Sequence, residues 1–308
     1  MGDKSKISWT DATWNPLAGC TRVSRGCDHC YAFELHDRRY AANKAAGMAG
    51  GGYEPKPKPF PKQYDLPFSK LQLLPDRLDQ PLHWKKPRRI FVNSMSDLFH
   101  EDVPDEFIAR VFAVMGAANQ HTFQVLTKRP GRMRTVLEGG GFLHATVAEL
   151  GVEYASEYGT DWPLPNVWLG VSVEDQAAAD ERIPLLVKTP AAKHWISAEP
   201  LLGPVDLRML NMGKREWQLG EFDQYLDVLA PSHTDGMGFE RTIKEHHRLD
   251  WLVLGDESGP HFRPMDLRWA HMIRAQCQDA GVPYFGKQNS GARPGIALPG
   301  DLGDREWP

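Results

Sequence analysis

Three cysteines fall within eleven residues, Cys20, Cys27 and Cys30, in the spacing C-x6-C-x2-C. Few chemistries use three clustered thiols. A closed structural zinc site takes four ligands. A cubane 4Fe-4S cluster also has four corners, usually all held by cysteine. Three thiols would hold three irons and leave the fourth open to a substrate or cofactor. His29 is a strained fourth ligand because it adjoins Cys30. The remaining cysteine, Cys277, lies in a helical stretch from Ile273 to Asp279 and reads as a buried thiol.

The elements that must position this loop are short and regular. Ser8 to Asn15 reads as a first strand, broken by Pro16 and Gly19 just before Cys20. Helical character runs from Asp28, a candidate cap, to Ala46. Gly47 to Pro67 is rich in Gly and Pro and reads as a loop or lid. Six further apolar runs follow: Arg89 to Ser94, His121 to Thr127, Asn166 to Ser172, Lys193 to Ala198, Asp250 to Gly255 and Val282 to Lys287. Helical patterns separate most of them. In the first, Asp105 to Asn119, residues Phe107, Ile108, Val111, Phe112 and Met115 share a face. Strands alternating with helices give βαβ units and a parallel sheet.

Nearly every strand ends in polar residues: Asn93, Ser94, Ser96 and Asp97; Thr127, Lys128 and Arg129; Ser172, Glu174 and Asp175; Ser197 and Glu199; Asp256, Glu257 and Ser258; Lys287 and Gln288. Ends gathered from many strands form the active-site rim of a barrel, whereas an open doubly wound sheet gathers only some of them at its switch point. The expected fold is therefore α/β, a partial or near-complete (β/α) barrel with the cysteine loop after its first strand. Structural alternatives exist for several rim residues. Asp97 and Asp175 suit helix caps, and Lys128 and Arg129 suit solvated loop charges. Gly255 and Gly259 bracket Glu257 and let the backbone approach a ligand closely.

Composition limits the function classes. The chain has 308 residues, 41% hydrophobic and 25% charged, an ordinary globular balance. Its net charge of -4 and pI near 6.3 argue against a globally basic nucleic-acid binder. Clustered cysteines without a disulfide framework suit a reducing compartment. The N-terminus carries no apolar signal region, and no run approaches a membrane span. The expectation is a cytoplasmic protein with no membrane association.

The cysteine loop resembles that of the radical S-adenosylmethionine (SAM) superfamily, whose usual motif is CxxxCxxC with an aromatic residue before the last cysteine. Here the first gap is six residues and His29 takes the aromatic position. More closely, the chain resembles a phage- and mobile-element-associated family with a three-cysteine motif and no settled function. The matching stretches are Trp9 to Pro16, Gly26 to Ala32, Phe91 to His100, Val125 to Pro130, Trp168 to Glu174, Ser197 to Pro204 and Glu257 to Gly259. Stretches 47–67, 139–163 and 211–248 match less and look like insertions in a single domain spanning 1–308. The family pattern has Gly where this chain has Asp256, and the tail after Gln288 departs from it.

The resemblance implies a 4Fe-4S cluster on Cys20, Cys27 and Cys30, with SAM chelated by the open iron. Reductive cleavage of SAM would give methionine and a 5′-deoxyadenosyl radical that abstracts hydrogen from the substrate. It further implies that Asn93, Ser94, Ser96 and Asp97 hold the methionine ammonium, and that Ser172 and Glu174 hold the ribose. Lys128, Glu199 and Glu257 become the substrate-side catalytic candidates. The 47–67 segment would be a lid, a flavodoxin or ferredoxin the reductant, and a nucleotide or nucleic acid the substrate class. Two rival readings are a zinc-binding nucleic-acid-associated protein and a barrel hydrolase using Glu174, Glu199 and Glu257 as acid and base.

Overall fold

The computed structural model describes residues 5–48, 61–138, 162–217, 220–230, 232–235, 240–242 and 248–308. Strand β1 (Ala12–Trp14) is followed by β2 (Leu17–Ala18), which pairs antiparallel with β3 (Gln72–Leu73). Helix α1 (Tyr31–Met48) leaves the cysteine loop. Then come β4 (Arg89–Val92), α2 (Asp105–Ala117), β5 (Thr122–Thr127), α3 (Pro130–Glu138), β6 (Val167–Ser172), α4 (Gln176–Lys188) and β7 (Lys193–Ala198). Four antiparallel strands follow: β8 (Leu210–Trp217), β9 (Gly220–Asp227), β10 (Ser232–Asp235) and β11 (Glu240–Thr242). The chain ends with β12 (Trp251–Gly255), α5 (Leu267–Ala280) and β13 (Tyr284–Gln288).

Seven strands form one parallel sheet in the order β1-β4-β5-β6-β7-β12-β13. Each new strand joins the same edge, so the order never reverses as it does in a doubly wound sheet. The sheet also curls. Trp9 touches Phe91 of β4, with ring centroids 4.7 Å apart, and Trp251 of β12, at 6.2 Å. In a flat sheet those strands would stand about 19 Å apart, four spacings of about 4.8 Å. Only a curled sheet lets one indole reach both. The fold is an α/β half-barrel.

Two cores result, one on each face of the sheet. The inner one is aromatic: Trp9, Phe91, Trp195, Trp251, Val253 and Phe285, flanked by Leu126 and Trp168. Gly170 belongs to this layer, because a Cβ there would lie 2.4 Å from the Trp195 ring. The outer core packs Ile90, Val125, Val171, Ile196 and Leu254 of the strands against Phe112, Ile183, Ile273 and Cys277 of the helices. Truncating a large aromatic such as Trp251 would cost about 3–5 kcal/mol.

The strand expectations match the observed elements within a few residues, except that β1 covers only Ala12–Trp14. Helix α1 starts at Tyr31, not Asp28. A 3-10 turn, Arg25–Cys27, precedes it, and the Asp28 carboxylate accepts from Arg263 Nη1 at 3.2 Å instead of capping a helix. Asp175 does cap α4, accepting from the Ala178 N–H at 3.0 Å. The expected insertion at 211–248 contains the antiparallel sheet. Those at 47–67 and 139–163, with the lid assigned to the former, lie largely outside the described residues. The tail returns along β13: Gly286 N donates to Asp304 O at 2.7 Å and Glu306 N to Tyr284 O at 2.9 Å. Trp307 then stacks on Trp251 at 5.0 Å. The tail thus covers an edge that would otherwise expose unpaired backbone.

Candidate active site at the strand ends

Side chains two residues apart on a strand share a face. Two positions beyond the inner aromatic layer the same face therefore carries Asn93, Lys128, Ser172, Ser197, Gly255 and Lys287, with Glu199 one step further along β7. The aromatic layer is the floor of the half-barrel and this polar layer is its mouth.

The charges at the mouth are arranged in pairs. Lys128 Nζ donates to Ser172 Oγ at 2.6 Å and to Glu174 Oε2 at 3.2 Å. Arg182, from α4, donates to both Glu174 oxygens at 2.8 and 3.3 Å and to the Ser172 carbonyl at 2.7 Å. Burial alone would raise the Glu174 carboxyl, but Lys128 and Arg182 outweigh it and hold the group down at about 2. Lys287 pairs with Glu199. Arg263 grips Glu257 through Nε, at 3.1 and 3.2 Å, and through its backbone N–H at 2.8 Å.

Asp256 is the exception. It is buried, and neither oxygen makes a well-formed hydrogen bond. Desolvation pushes it up to about 7; the adjacent Glu257 N–H and Ser290 hydroxyl oppose this only in part, while the charges of Glu257 and Glu199 add to it.

The cysteine loop lies across this mouth and touches the ends of strands far apart in the sheet. At the β6 side, a Cβ on Gly26 would stand 3.1 Å from Glu174 Cδ and 3.2 Å from Lys128 Nζ, so only glycine lets the backbone settle there without displacement. At the β12 side, Arg263 Nη2 donates to the Arg25 carbonyl at 2.8 Å and Nη1 to Asp28. At the β5 side, Arg129 donates to the Thr21 hydroxyl at 2.7 Å and the Thr21 carbonyl at 3.2 Å.

Within the loop, the Cys20 N–H donates to Phe68 O at 2.9 Å. Cys20, Cys30 and Met95 pack against Ala32, Phe33 and Phe68. Burial pushes the Cys20 thiol up to about 12; Asp97 adds to the rise and Arg129 opposes it. Burial also raises Cys30, and the charge of Cys27 raises both. A bound cation is what would ionise such thiols at neutral pH.

Among the described residues, no group of three or more His, Cys, Asp or Glu could hold a metal ion as placed. A single ion bound at about 2.3 Å would need its thiolates to converge on one point. A cubane cluster puts each cysteine on a different iron and needs only that they face a common space. Three thiols of one loop, two of them along one apolar wall, are the donor set that such a cluster takes. Cys277 does not join them; it is buried in α5 in the outer core.

The polar residues expected near SAM divide into two sets. Ser172 and Glu174 meet at Lys128. Ser94 instead exchanges hydrogen bonds with the Asn15 side chain at 3.2 Å, and Ser96 donates to the Leu17 carbonyl at 3.1 Å. Asp97 accepts from Thr127 Oγ1 at 2.7 Å, Lys128 N at 3.1 Å, Phe99 N at 3.0 Å and Arg129 at 3.2 Å, so it is a loop organiser and not a helix cap. Asn93 alone of this group has a buried side chain with neither polar atom hydrogen-bonded, on a backbone with φ 62°. Asn tolerates that left-handed conformation better than most residues. Lys128 and Arg129 are not solvated loop charges, since both are held in ion pairs.

Sequence reasoning missed Arg182, Arg263 and the pairing role of Lys287. Arg182 sits in an unremarkable helical stretch, and no local pattern marks it as the partner of Glu174. Lys287 carried a usable signal, because it closes a strand as the other rim residues do.

A family model described as a protein of unknown function, DUF5131, matches residues 4–295. The chain belongs to the DUF5131 family. The matched span takes in the cysteine loop, all seven strands of the DUF5131 half-barrel and every charged pair described at its mouth. No curated protein and no solved structure matches the chain. No helix among the described residues is long and apolar enough to cross a membrane.

Proposed function

We propose that this protein is a radical SAM enzyme whose cluster is held by Cys20, Cys27 and Cys30. The observation that carries the reading is the position of the three-thiol loop, laid across the polar mouth of a parallel half-barrel. When bound, the cluster and SAM supply one-electron cleavage of a sulfonium C–S bond and a carbon radical able to abstract hydrogen. The protein's part is placement. Asn93 offers an unpartnered amide at the end of β4 for the amino acid moiety. Ser172, fixed between Lys128 and the Glu199 carbonyl (3.0 Å), lines the ribose side with Glu174. Lys128, Glu199 and Glu257 are the substrate-side groups. Each charge is already balanced, so a ligand would meet oriented hydrogen-bonding partners and not a bare charge. Below these groups the half-barrel is filled by the buried side chains of Trp9, Trp195, Trp251 and Phe285.

The electron requires a reductant such as flavodoxin or ferredoxin, and a reducing cytoplasm suits the free thiols. A nucleotide or nucleic acid is the proposed substrate class. The test is anaerobic reconstitution with iron and sulfide, metal and acid-labile sulfide counting, and assay of 5′-deoxyadenosine from SAM and a reductant. Near-stoichiometric 4Fe-4S loading and deoxyadenosine release are expected. Cys20→Ala, Cys27→Ala and Cys30→Ala should each abolish loading, while Cys277→Ala should not. Stoichiometric zinc without labile sulfide would overturn the reading.

A further inference from the structure

The six-residue gap between Cys20 and Cys27 leaves the first cysteine furthest from its partners in sequence. One side chain, Arg129, makes the densest set of contacts to that end of the loop. Arg129 is largely buried, and its planar guanidinium makes a fan of contacts. Nε donates to Glu101 Oε2 at 3.0 Å and Nη2 to both oxygens of Thr21. Nη1 reaches Asp97 Oδ2 at 3.2 Å and the Cys20 sulfur at 3.7 Å. Lysine, with one point charge, could not make this set. Thr21 is held again by the His100 ring, 2.9 Å from its hydroxyl. Cys20 Sγ thus has a cationic N–H donor fixed beside it by three other partners.

We infer that Arg129 is a positioning residue for the cluster: it donates an N–H···S bond to Cys20 and so raises the reduction potential of the cluster bound there. The inference rests on the iron–sulfur reading above. Reduction adds negative charge to the cluster, and hydrogen bonds to its sulfurs together with nearby positive charge stabilise that state. Asp97 and Glu101 partly balance the Arg129 charge, so the directed N–H is the larger part of the effect.

Redox titration of reconstituted protein, followed by the electron paramagnetic resonance signal of the reduced cluster, tests this. Arg129→Gln should retain iron and sulfide but shift the midpoint to a more negative potential. Arg129→Lys should shift it less. Thr21→Val removes the neighbouring anchor while leaving the N–H···S contact, and should leave the potential near that of the wild type. Equal potentials in wild type and Arg129→Gln would overturn the inference, as would an equal shift in Thr21→Val. Loss of loading in both Arg129 variants, with circular dichroism unchanged, would make Arg129 a structural strut and also overturn it. A wild-type protein that takes up no cluster would instead overturn the parent reading, so the two failures are distinguishable.

Discussion

Two buried carboxyls at the mouth of the half-barrel have opposite electrostatics. Glu174, beyond β6, is gripped by Lys128 and Arg182 and held down at about 2. Asp256, beyond β12, has no cation of its own among the described residues and is pushed up to about 7. Both are almost fully buried, at 1% exposure each. Burial is therefore not what separates them. The difference is the allocation of cations: Arg182 reaches across from a helix to Glu174, whereas Lys287 and Arg263 are taken by Glu199 and Glu257. Among the described residues on that side, three carboxyls share two cations, and the one left without a cation is the one whose pKa rises.

The largest expected effect breaks the Glu174 side. Arg182→Met leaves Glu174 buried with Lys128 as its one remaining cation. Removing one partner of a buried pair costs about 3–5 kcal/mol, and the surviving Lys128 places the expectation near the lower figure. Urea denaturation at pH 7 should show that loss. Adding Glu174→Leu to Arg182→Met should restore part of it, because the buried charge is then gone. A loss below about 1 kcal/mol would mean that Lys128 alone suffices to hold Glu174 ionised.

This side of the mouth was only half legible in the sequence. Ser172 and Glu174 stand out because a polar pair ends the apolar run from Val167. Lys128 is visible for the same reason. Arg182 is not, since its role depends on how α4 packs back against β6, and that geometry leaves no local pattern. The seven parallel strands were legible because apolar runs with polar ends alternate with helical segments. The sheet formed by β8 to β11 was not, because its strands carry mixed charges such as Lys214, Glu221 and Asp223 with no clean alternation. Asp256 was visible as a carboxylate, but its protonation was not, because that depends on which neighbours have already claimed the cations.

The next expectation concerns Asp256 and carries a pH signature. Its pKa rises from the ordinary 3.8 to about 7 on folding. Between those values the folded chain holds a proton that the unfolded chain has lost, so stability falls as pH rises through that window. Spread across that window, the change is at most about 1.4 kcal/mol per pH unit. Glu174 has the opposite sign: its depressed pKa gives stability present above about 4.5 and lost as pH falls toward 2. Asp256→Asn removes the penalty above pH 7 and should raise the melting temperature there, with little change near pH 4. Uniform shifts at both pH values would show that folding leaves the Asp256 pKa near its ordinary value.

The smallest effect probes how the cysteine loop rests on the Glu174 side. Gly26→Ala would place a methyl group 3.1 Å from Glu174 Cδ and 3.2 Å from Lys128 Nζ. Neither neighbour can yield easily, because Arg182 fixes the carboxylate and Ser172 fixes the amine. The loop itself should lift, at a cost of about 1 kcal/mol, the low end for a small-to-large change at a packed site. Among the described residues no comparable contact ties the loop to Asp256, so on the proposed cluster reading Gly26→Ala should lower iron loading while leaving the alkaline stability loss due to Asp256 unchanged. Iron loading and a pH series of melting temperatures on the same variant separate the two. If the alkaline loss changes together with iron loading, the two sides of the mouth are mechanically coupled through the loop, and the Arg263 bridge to Arg25 and Asp28 becomes the connection to remove next.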